Sequence, residues 1–417
     1  MTLSASTAKI APLVGVVGPG LMGLGLAQVA AAAGFEVALC GRDDKASGEA
    51  LNRLRAALER QSARGRLDAA TCEGVLARVS AARVIADDLS RCALVIECLP
   101  EDRAIKSDVL RRIEAAVAPG AMIATNTSGL AISGLATVLR DRTRFLGLHF
   151  FSPAERMPLV EVVRGAETSE ATMAGAFALA EAFGKVPVCV RDGPGFFATR
   201  VFAAYLDEAV AMVGEGAPPE LIEAAAVATG RALGPLATLD ETGLALNLQQ
   251  ARQAALDGLA ERFRRPLAEP LLARLVAAGR GGRRRGGGFH DWPDGGQRAL
   301  WPGLADLFPP AAGPCDADAV RLRLLAAEAR EALRCLEEGV VDSADDADVA
   351  SILGLGFPKR LGGVLRWAED FDLAAFVALC QRLASAHGER FAPTPWLIAL
   401  AASGQGLTTY RKQERQT

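Results

Sequence analysis

Residues 13–33 read LVGVVGPGLMGLGLAQVAAAA, and this stretch decides the fold of the first half of the chain. The apolar, β-branched run Leu13–Val17 has the composition of a strand that is buried on both faces. A glycine-rich turn follows at once, and the Ala- and Leu-rich segment Leu21–Ala33 has the composition of a helix. The stretch therefore predicts a strand, a tight turn and a helix in immediate succession.

The turn has the spacing GxGxxG between a strand and a helix. The first glycine of such a turn permits the tight bend, the second lets the backbone approach a pyrophosphate, and the third lets helix and strand pack closely. The free amides at the helix N-terminus attract phosphates. An ordinary glycine-rich turn is the alternative. We predict a dinucleotide site formed by Gly18, Gly20, Leu21, Met22 and Gly23.

The end of the next strand, predicted at Glu36–Cys40, is where NAD-binding proteins usually carry an acidic residue for the adenosine ribose. Here that place is Gly41, followed by Arg42. A missing carboxylate beside a guanidinium suits the 2′-phosphate of NADP, unless Asp43 or Asp44 turns in to replace the carboxylate. A solvated loop arginine is the other interpretation of Arg42. These residues leave the choice between NAD and NADP open.

The rest of the first half alternates strands with helices. Residues 47–82 carry Leu, Ala and Arg at helical spacing, with a break near Arg64, and predict two helices that form an arm. We therefore predict a Rossmann-like α/β domain with a doubly wound parallel sheet at residues 12–190. Its further strands are expected at Leu94–Cys98, Ala121–Thr125, Phe145–Phe150 and Leu159–Val163.

The second half is almost wholly helical in pattern, and it contains a repeat. Glu208-Ala209 and Glu215-Gly216 recur as Glu331-Ala332 and Glu338-Gly339, each 123 positions later. Chance similarity between two Ala- and Glu-rich helices is the alternative. We predict a duplicated all-α region, with one domain at residues 191–300 and a second at 315–405. The Pro- and Gly-rich stretch 291–314 is expected to be a linker.

The bulk composition excludes several classes of protein. The net charge is −3 and no charged tail stands out, so we expect neither nucleic acid nor a membrane surface as a partner. No apolar run reaches the ~18 residues of a membrane span, and no signal peptide is recognisable. The eight cysteines form no CxxC pair, so we expect reduced thiols in a cytoplasmic protein and no metal site.

Residues 147–163 read GLHFFSPAERMPLVEVV and carry the candidate chemistry. His149 ends one predicted strand and Glu161 lies within the next, so the short loop between them can bring the two side chains together. A histidine held by a carboxylate is a suitable general base for the proton of an alcohol. On spacing alone, a structural histidine is the competing interpretation.

This stretch resembles the signature of the L-3-hydroxyacyl-CoA dehydrogenases. Asn126-Thr-Ser128, Gly195-Phe196 and the glycine turn resemble the same family, and the resemblance runs from about residue 13 to about 405. Residues 337–340 and 354–363 look like part of the second C-terminal repeat of its long members, the bacterial multifunctional fatty-acid oxidation alpha subunits. The resemblance covers the dehydrogenase part of those subunits and not their hydratase part.

The resemblance implies reversible oxidation of an L-3-hydroxyacyl-CoA to a 3-oxoacyl-CoA, as in fatty-acid β-oxidation. NAD is the first expected cofactor, NADP is possible, and acyl-CoA is the expected partner of a monomer or homodimer. His149 would be the base, Glu161 its partner, and Ser128 would hydrogen-bond the 3-oxygen, with a turn cap as the alternative for Ser128. The active site would lie between the carboxyl edge of the sheet and the first helical domain.

Further positions match the family less directly. Glu101, Lys106 and Asn126 occupy places that lie near the nicotinamide ribose in the family, although by sequence alone Lys106 is a solvated helix lysine. The arginines of the predicted arm would meet the phosphates of CoA, although each is individually an ordinary surface charge. These arginines are Arg53, Arg55, Arg60 and Arg64.

One departure concerns the segment that opens the helical half. The family has Gly-Phe-x-x-Asn-Arg there, whereas this chain has Thr199 in place of the Asn. Thr199 keeps a hydroxyl donor for substrate or base but loses the two-donor amide, and Ser152 stands where another Asn is usual. An impaired acyl-CoA-binding homologue and a dehydrogenase of free hydroxy acids are therefore the rival functions. His290 and His387 are interpreted as structural.

Overall fold

The computed structural model describes residues 13–82, 89–293 and 296–407. The chain forms two compact units that divide between Gly193 and Pro194. No described helix is both long and apolar enough to cross a membrane. Residues 1–12 lie outside the described part of the chain.

The described residues of the first unit contain a single sheet flanked by helices. Its elements, in chain order, are β1 (Leu13–Val17), α1 (Leu21–Ala32), β2 (Glu36–Cys40), α2 (Asp44–Ala63), α3 (Ala69–Arg78), β3 (Val79–Ala82), β4 (Cys92–Glu97), α4 (Arg103–Ala116), β5 (Met122–Thr125), α5 (Ile132–Ala136), β6 (Phe145–Phe150), β7 (Leu159–Arg164), α6 (Glu170–Ala182) and β8 (Val186–Arg191).

The strand order is β3-β2-β1-β4-β5-β6-β7-β8. Neighbours are parallel except β6 and β7, which are antiparallel. The predicted Rossmann-like α/β sheet is confirmed, but it is not parallel throughout. The reason is the connection between β6 and β7, because residues 151–158 contain no crossover helix and can only return the chain in the opposite direction.

Two strands escaped the sequence prediction. Val79–Ala82 was expected to belong to the helical arm, but it pairs with β2 as the edge strand β3. Val186–Arg191 contains Pro187, which weakens a strand prediction, and it is the opposite edge strand β8, where proline is tolerated. The two arm helices themselves are confirmed as α2 and α3, with the break at residues 64–68.

The packing of α2 fixes the end of β2. Leu54 and Leu58, one turn apart, are fully buried in the core of the first unit. At the start of the helix, the Asp43 carboxylate accepts a hydrogen bond from the Ala46 amide at 2.7 Å and caps it. The first turn of α2 therefore lies directly against Gly41, the residue that follows β2.

The described residues of the second unit are mainly helical. Its elements are α7 (Ala198–Gly214), α8 (Pro219–Ala228), α9 (Pro235–Thr242), α10 (Leu244–Leu256), α11 (Ala268–Ala277), β9 (His290–Asp291), β10 (Ala299–Leu300), α12 (Leu304–Leu307), α13 (Ala317–Glu337), α14 (Ala344–Leu355), α15 (Val364–Asp370), α16 (Leu373–His387) and α17 (Pro395–Ser403).

Reciprocal ion pairs join the long helices α7 and α13, because an arginine of each one pairs with glutamates of the other. Two arginines 123 positions apart each reach two glutamates of the other helix, and the glutamates are also 123 positions apart. Chance similarity of composition does not account for this reciprocity. The predicted duplication gains a structural argument, whereas the boundaries 191–300 and 315–405 remain predictions. The pairs are Arg323 with Glu208 and Glu215, and Arg200 with Glu331 and Glu338.

The stretch expected to be a linker is folded in the part that is described. Its residues form β9, β10 and α12, and Leu304 and Phe308 are buried in the core of the second unit. Prolines and glycines suggested an irregular segment, but the buried apolar side chains between them anchor it.

Candidate active site

The glycine turn has the geometry that a pyrophosphate requires. Gly18 has a φ of +109°, and a side chain there would come within 2.7 Å of the carbonyl oxygen of Cys98. A Cβ on Gly23 would lie 2.0 Å from the carbonyl oxygen of Gly18, so only glycine lets α1 pack against the turn. Gly20 has no atom within 4 Å of its Cβ position, which leaves the backbone open to a ligand. The turn therefore fits a dinucleotide.

Helix α1 begins directly after this turn. Its N-cap, Gly20, supplies no side-chain cap, and the first turn contains no acidic residue. The positive end of the helix dipole and its amides thus face the glycine turn, as an anion site needs. Leu21 is half exposed, and Met22 packs against the core.

The predicted catalytic pair is formed. His149 and Glu161 face each other in the register of β6 and β7. His149 Nδ1 and Glu161 Oε2 are 2.6 Å apart, and the carboxylate is fully buried. With the proton on Nδ1, the carboxylate accepts it, and this arrangement leaves Nε2 to take a proton. His149 also packs against Phe151, with ring centroids 4.6 Å apart.

Asn126 connects the end of β5 to this pair. Its side-chain oxygen accepts a hydrogen bond of 2.8 Å from the amide of Phe150, the residue after His149. The backbone amide of Asn126 donates to the backbone carbonyl of Glu97 at 2.8 Å. Asn126 therefore ties together the carboxyl ends of β4, β5 and β6 in this structure.

Glu101 organises the loop that carries Ser128. One of its carboxylate oxygens accepts hydrogen bonds from the Thr127 hydroxyl at 2.5 Å, the Ser128 amide at 3.1 Å and the Gly129 amide at 3.0 Å. The Ser128 hydroxyl lies 3.4 Å from the same oxygen. A carboxylate with several donors is held firmly, and it fixes the position of Ser128 in turn.

Lys106 is not the solvated helix lysine that its sequence context suggested. It is 1% exposed, and its ammonium donates to both carboxylate oxygens of Glu97, at 2.9 and 3.0 Å, and to the Leu99 carbonyl at 3.0 Å. Its three donors are thus directed at protein atoms. Through these bonds Lys106 fixes the chain segment between β4 and Glu101.

Sequence reasoning missed Glu97. It is fully buried at the carboxyl end of β4, where it also accepts hydrogen bonds from the Thr125 hydroxyl at 2.7 Å and the Leu99 amide at 2.5 Å. The signal was present, because Glu97 is the one acidic residue of the otherwise apolar stretch Cys92–Glu97. A charged residue in a buried strand needs a partner, and Lys106 is that partner.

The structure thus brings five predicted residues to neighbouring strand ends of the first unit. Thr199 lies in the second unit, in the first turn of α7, and its catalytic assignment stays a prediction. The five residues are Glu101, Asn126, Ser128, His149 and Glu161.

Two arginines lie at the end of β2 and at the glycine turn. The Arg42 side chain is 90% exposed directly after β2. Arg53, on α2, donates a hydrogen bond of 2.9 Å to the carbonyl of Pro19 in the glycine turn. The other arginines expected to meet CoA, which are Arg55, Arg60 and Arg64, are exposed.

His290 has an acidic partner that the sequence did not reveal. Its Nδ1 lies 2.8 Å from Asp240 Oδ2, and both side chains are buried. Asp240 also accepts hydrogen bonds from the amides of Phe289 and His290. The pair fastens the start of β9 to α9, which agrees with the interpretation of His290 as structural.

Comparison with known proteins identifies the family of the chain. The family model of the 3-hydroxyacyl-CoA dehydrogenase NAD binding domain matches residues 13–193, and that of the 3-hydroxyacyl-CoA dehydrogenase C-terminal domain matches residues 195–292. The chain belongs to the 3-hydroxyacyl-CoA dehydrogenase family. Its first unit is accordingly the NAD-binding domain of that family.

Relatives of this dehydrogenase family cover nearly the whole chain. The fatty acid oxidation complex subunit alpha of Vibrio cholerae is 34% identical over 403 residues, which are 95% of this chain and 56% of the relative. The chain therefore spans about half the length of the curated relatives it matches.

Solved structures of 3-hydroxybutyryl-CoA dehydrogenases resemble it as well. The protein from Escherichia coli has a TM-score of 0.78 at 27% identity, covering 95% of this chain and 100% of its own. The protein from Ralstonia eutropha has a TM-score of 0.62 at 34% identity, covering 67% of this chain and 98% of its own.

Proposed function

We propose that this chain oxidises an L-3-hydroxyacyl-CoA reversibly to the 3-oxoacyl-CoA with NAD, and that His149 is the general base. The observation that carries the proposal is the buried His149–Glu161 pair, 2.6 Å apart, at the strand ends beside the glycine turn of an NAD-binding domain. Membership of the 3-hydroxyacyl-CoA dehydrogenase family supports the substrate class.

In the proposed oxidation, His149 Nε2 takes the proton of the C3 hydroxyl group. The C3 hydrogen departs as a hydride, and the carbon–oxygen bond becomes a carbonyl. The bound nicotinamide cofactor would supply the acceptor for that hydride. The Glu161 carboxylate stabilises the imidazolium that results and keeps the ring oriented throughout. In the reverse direction, the imidazolium returns the proton to the oxygen.

Ser128 is proposed to bind the substrate's 3-oxygen. Its loop is held by Glu101, so the hydroxyl is placed before substrate arrives and need not be ordered during the reaction. Glu101 and Lys106 act as positioning residues in this scheme, since the Lys106 ammonium faces Glu97 and Leu99. Thr199 is proposed to contribute its hydroxyl to the substrate or to His149.

The residues present fit the cofactor. Gly18, Gly20 and Gly23 form the pyrophosphate turn, and Leu21 and Met22 supply the first amides of α1. Asn126 and Glu101 lie at the neighbouring strand ends and are proposed to lie beside the nicotinamide ribose. The first unit thus binds the cofactor through its backbone more than through charged side chains.

The biological setting is part of the proposal. The name of the relatives, fatty acid oxidation complex subunit alpha, supports a role in fatty-acid metabolism. We propose a cytoplasmic enzyme that acts on acyl-CoA as a monomer or homodimer, with helical domains at residues 191–300 and 315–405.

The deciding experiment measures oxidation of NADH by the purified chain with acetoacetyl-CoA, and with free acetoacetate in parallel. We expect turnover of the CoA thioester and little of the free acid. Turnover of the free acid alone would instead support a dehydrogenase of hydroxy acids. No turnover of either, with acetoacetyl-CoA still bound, would support an impaired acyl-CoA-binding homologue, for which Thr199 in place of the family's Asn is the motivating observation.

A further inference from the structure

The adenosine end of the cofactor site carries no carboxylate where one is usual. That position is Gly41, and it cannot hold any side chain in this backbone. A Cβ there would lie 2.7 Å from the Ser47 amide nitrogen and 2.9 Å from the Ala46 Cβ. The Gly41 amide also donates to the Ser47 hydroxyl at 2.8 Å. The first turn of α2 therefore closes the place from which a carboxylate would hold the ribose hydroxyls.

The nearest acidic residue is engaged elsewhere. Asp43 caps α2 with one carboxylate oxygen, which lies 2.7 Å from the Ala46 amide. Its other oxygen lies 3.4 Å from Arg42 Nε. If Asp43 turned towards the ribose, α2 would lose its N-cap, which stabilises the helix by about 1 kcal/mol. The Arg42 side chain is 90% exposed at this edge, so its guanidinium is accessible to a ligand.

A second guanidinium stands on the phosphate turn itself. Arg53 is an exposed residue of α2, and its Nη2 donates to the Pro19 carbonyl at 2.9 Å. Pro19 is the residue between the first two glycines of the turn. A guanidinium carries five donors in a fixed fork, so the bond to Pro19 orients the group and leaves capacity for an anion.

We propose that Arg42 and Arg53 form a binding site for the 2′-phosphate of NADP, so that this chain accepts NADP as well as NAD. A carboxylate at the end of β2 would repel that phosphate. Here Arg42 follows β2 directly, and Arg53 contacts the glycine turn. Arginine pairs with phosphate through bidentate, charge-assisted hydrogen bonds. The proposal rests on the nicotinamide cofactor of the proposed function. For Arg53 it replaces the contact with CoA phosphates that the family resemblance implies.

The test measures binding of two cofactor fragments by isothermal titration calorimetry. The fragments are ADP-ribose and 2′-phospho-ADP-ribose, which carry no nicotinamide, and no acyl-CoA is present. We expect the wild type to bind the two with dissociation constants within tenfold of each other. Arg42→Gln and Arg53→Gln should each weaken the phosphorylated fragment by roughly 10- to 100-fold, as for lost hydrogen bonds to a charged group, and ADP-ribose by less than about threefold.

Arg55→Gln is the matched control. Arg55 is exposed on the same helix, but two residues further along it points roughly 200° away from Arg53. It should change neither dissociation constant. Arg53→Lys keeps the charge and should retain part of the affinity for the phosphorylated fragment, which separates the loss of a charge from a distortion of the turn.

Three results would overturn the proposal. The first is a wild type that prefers ADP-ribose by more than tenfold. The second is either glutamine variant binding the phosphorylated fragment as tightly as the wild type. The third is equal weakening of both fragments by Arg42→Gln or Arg53→Gln. Since the assay needs no hydroxyacyl-CoA, a failure of the proposed reaction leaves it unaffected, and a failure here leaves the dehydrogenase assay with NADH unaffected.

Discussion

Replacement of Glu161 by glutamine tests the catalytic pair most directly. The substitution keeps the size of a fully buried side chain and removes only its charge. In the proposed reaction His149 becomes an imidazolium during oxidation, and its Nδ1 lies 2.6 Å from the carboxylate. At roughly 4 Å between charge centres and an effective dielectric constant of about 20, the attraction is worth about 4 kcal/mol.

That energy corresponds to roughly three powers of ten in rate, at about 1.4 kcal/mol for each. A glutamine still presents a carbonyl oxygen to Nδ1, so part of the orientation survives. We therefore expect Glu161→Gln to lower kcat by about 100- to 1000-fold, within the usual range for general acid–base catalysis. The loss should appear in kcat with acetoacetyl-CoA and NADH, with little change in NADH binding.

The control removes a different carboxylate of the same unit. Glu170 pairs with Arg164, the last residue of β7, and its side chain is 84% exposed. Glu170→Gln should leave kcat unchanged, and Glu161→Asp, which retains the charge, should keep more activity than Glu161→Gln. The reasoning is refuted if Glu161→Gln retains more than about a tenth of the wild-type kcat while its melting temperature and NADH affinity match the wild type.

Three further outcomes are expected. Ser128→Ala should lower kcat/KM by roughly 5- to 150-fold through one lost hydrogen bond to the 3-oxygen, and unchanged kinetics would remove Ser128 from the site. Thr199→Asn should raise turnover of 3-oxoacyl-CoA because the amide supplies a second donor, whereas no change with any substrate places residue 199 outside the catalytic shell. Burial raises the pKa of Asp348 from 3.8 to about 6, against the hydrogen bonds from the amides of Leu365 and Arg366. The folded state therefore binds this proton more tightly, and its stabilising effect, complete below about pH 4, is lost as the pH rises through about 6. In urea unfolding, the free energy of unfolding of the wild type should fall between about pH 4 and pH 7 by more than that of Asp348→Asn. An equal change in the two proteins would contradict this prediction.

The sequence alone determined what depends on neighbouring residues. The glycine turn was predictable because its conformation is imposed locally, by the positive φ of Gly18 and by the contact of Gly23 with Gly18. The strands with His149 and Glu161 were predictable because short apolar runs indicate buried strands. For His149, spacing alone favoured a structural role, and the family resemblance then indicated a catalytic one.

Tertiary structure decided what depends on groups distant in the chain. The 2.6 Å pairing of His149 with Glu161 follows from the register of two antiparallel strands, which depends on the geometry of the turn between them and on which face of each strand is buried. Sequence context predicted a solvated Lys106, but the fold places it beside Glu97. Arg53 has the sequence context of a surface charge, but in the fold it is hydrogen-bonded to the Pro19 carbonyl. A charged side chain carries no local signal of its partner, because the free energy of an ion pair or hydrogen bond depends on distance and burial, which only the assembled chain sets.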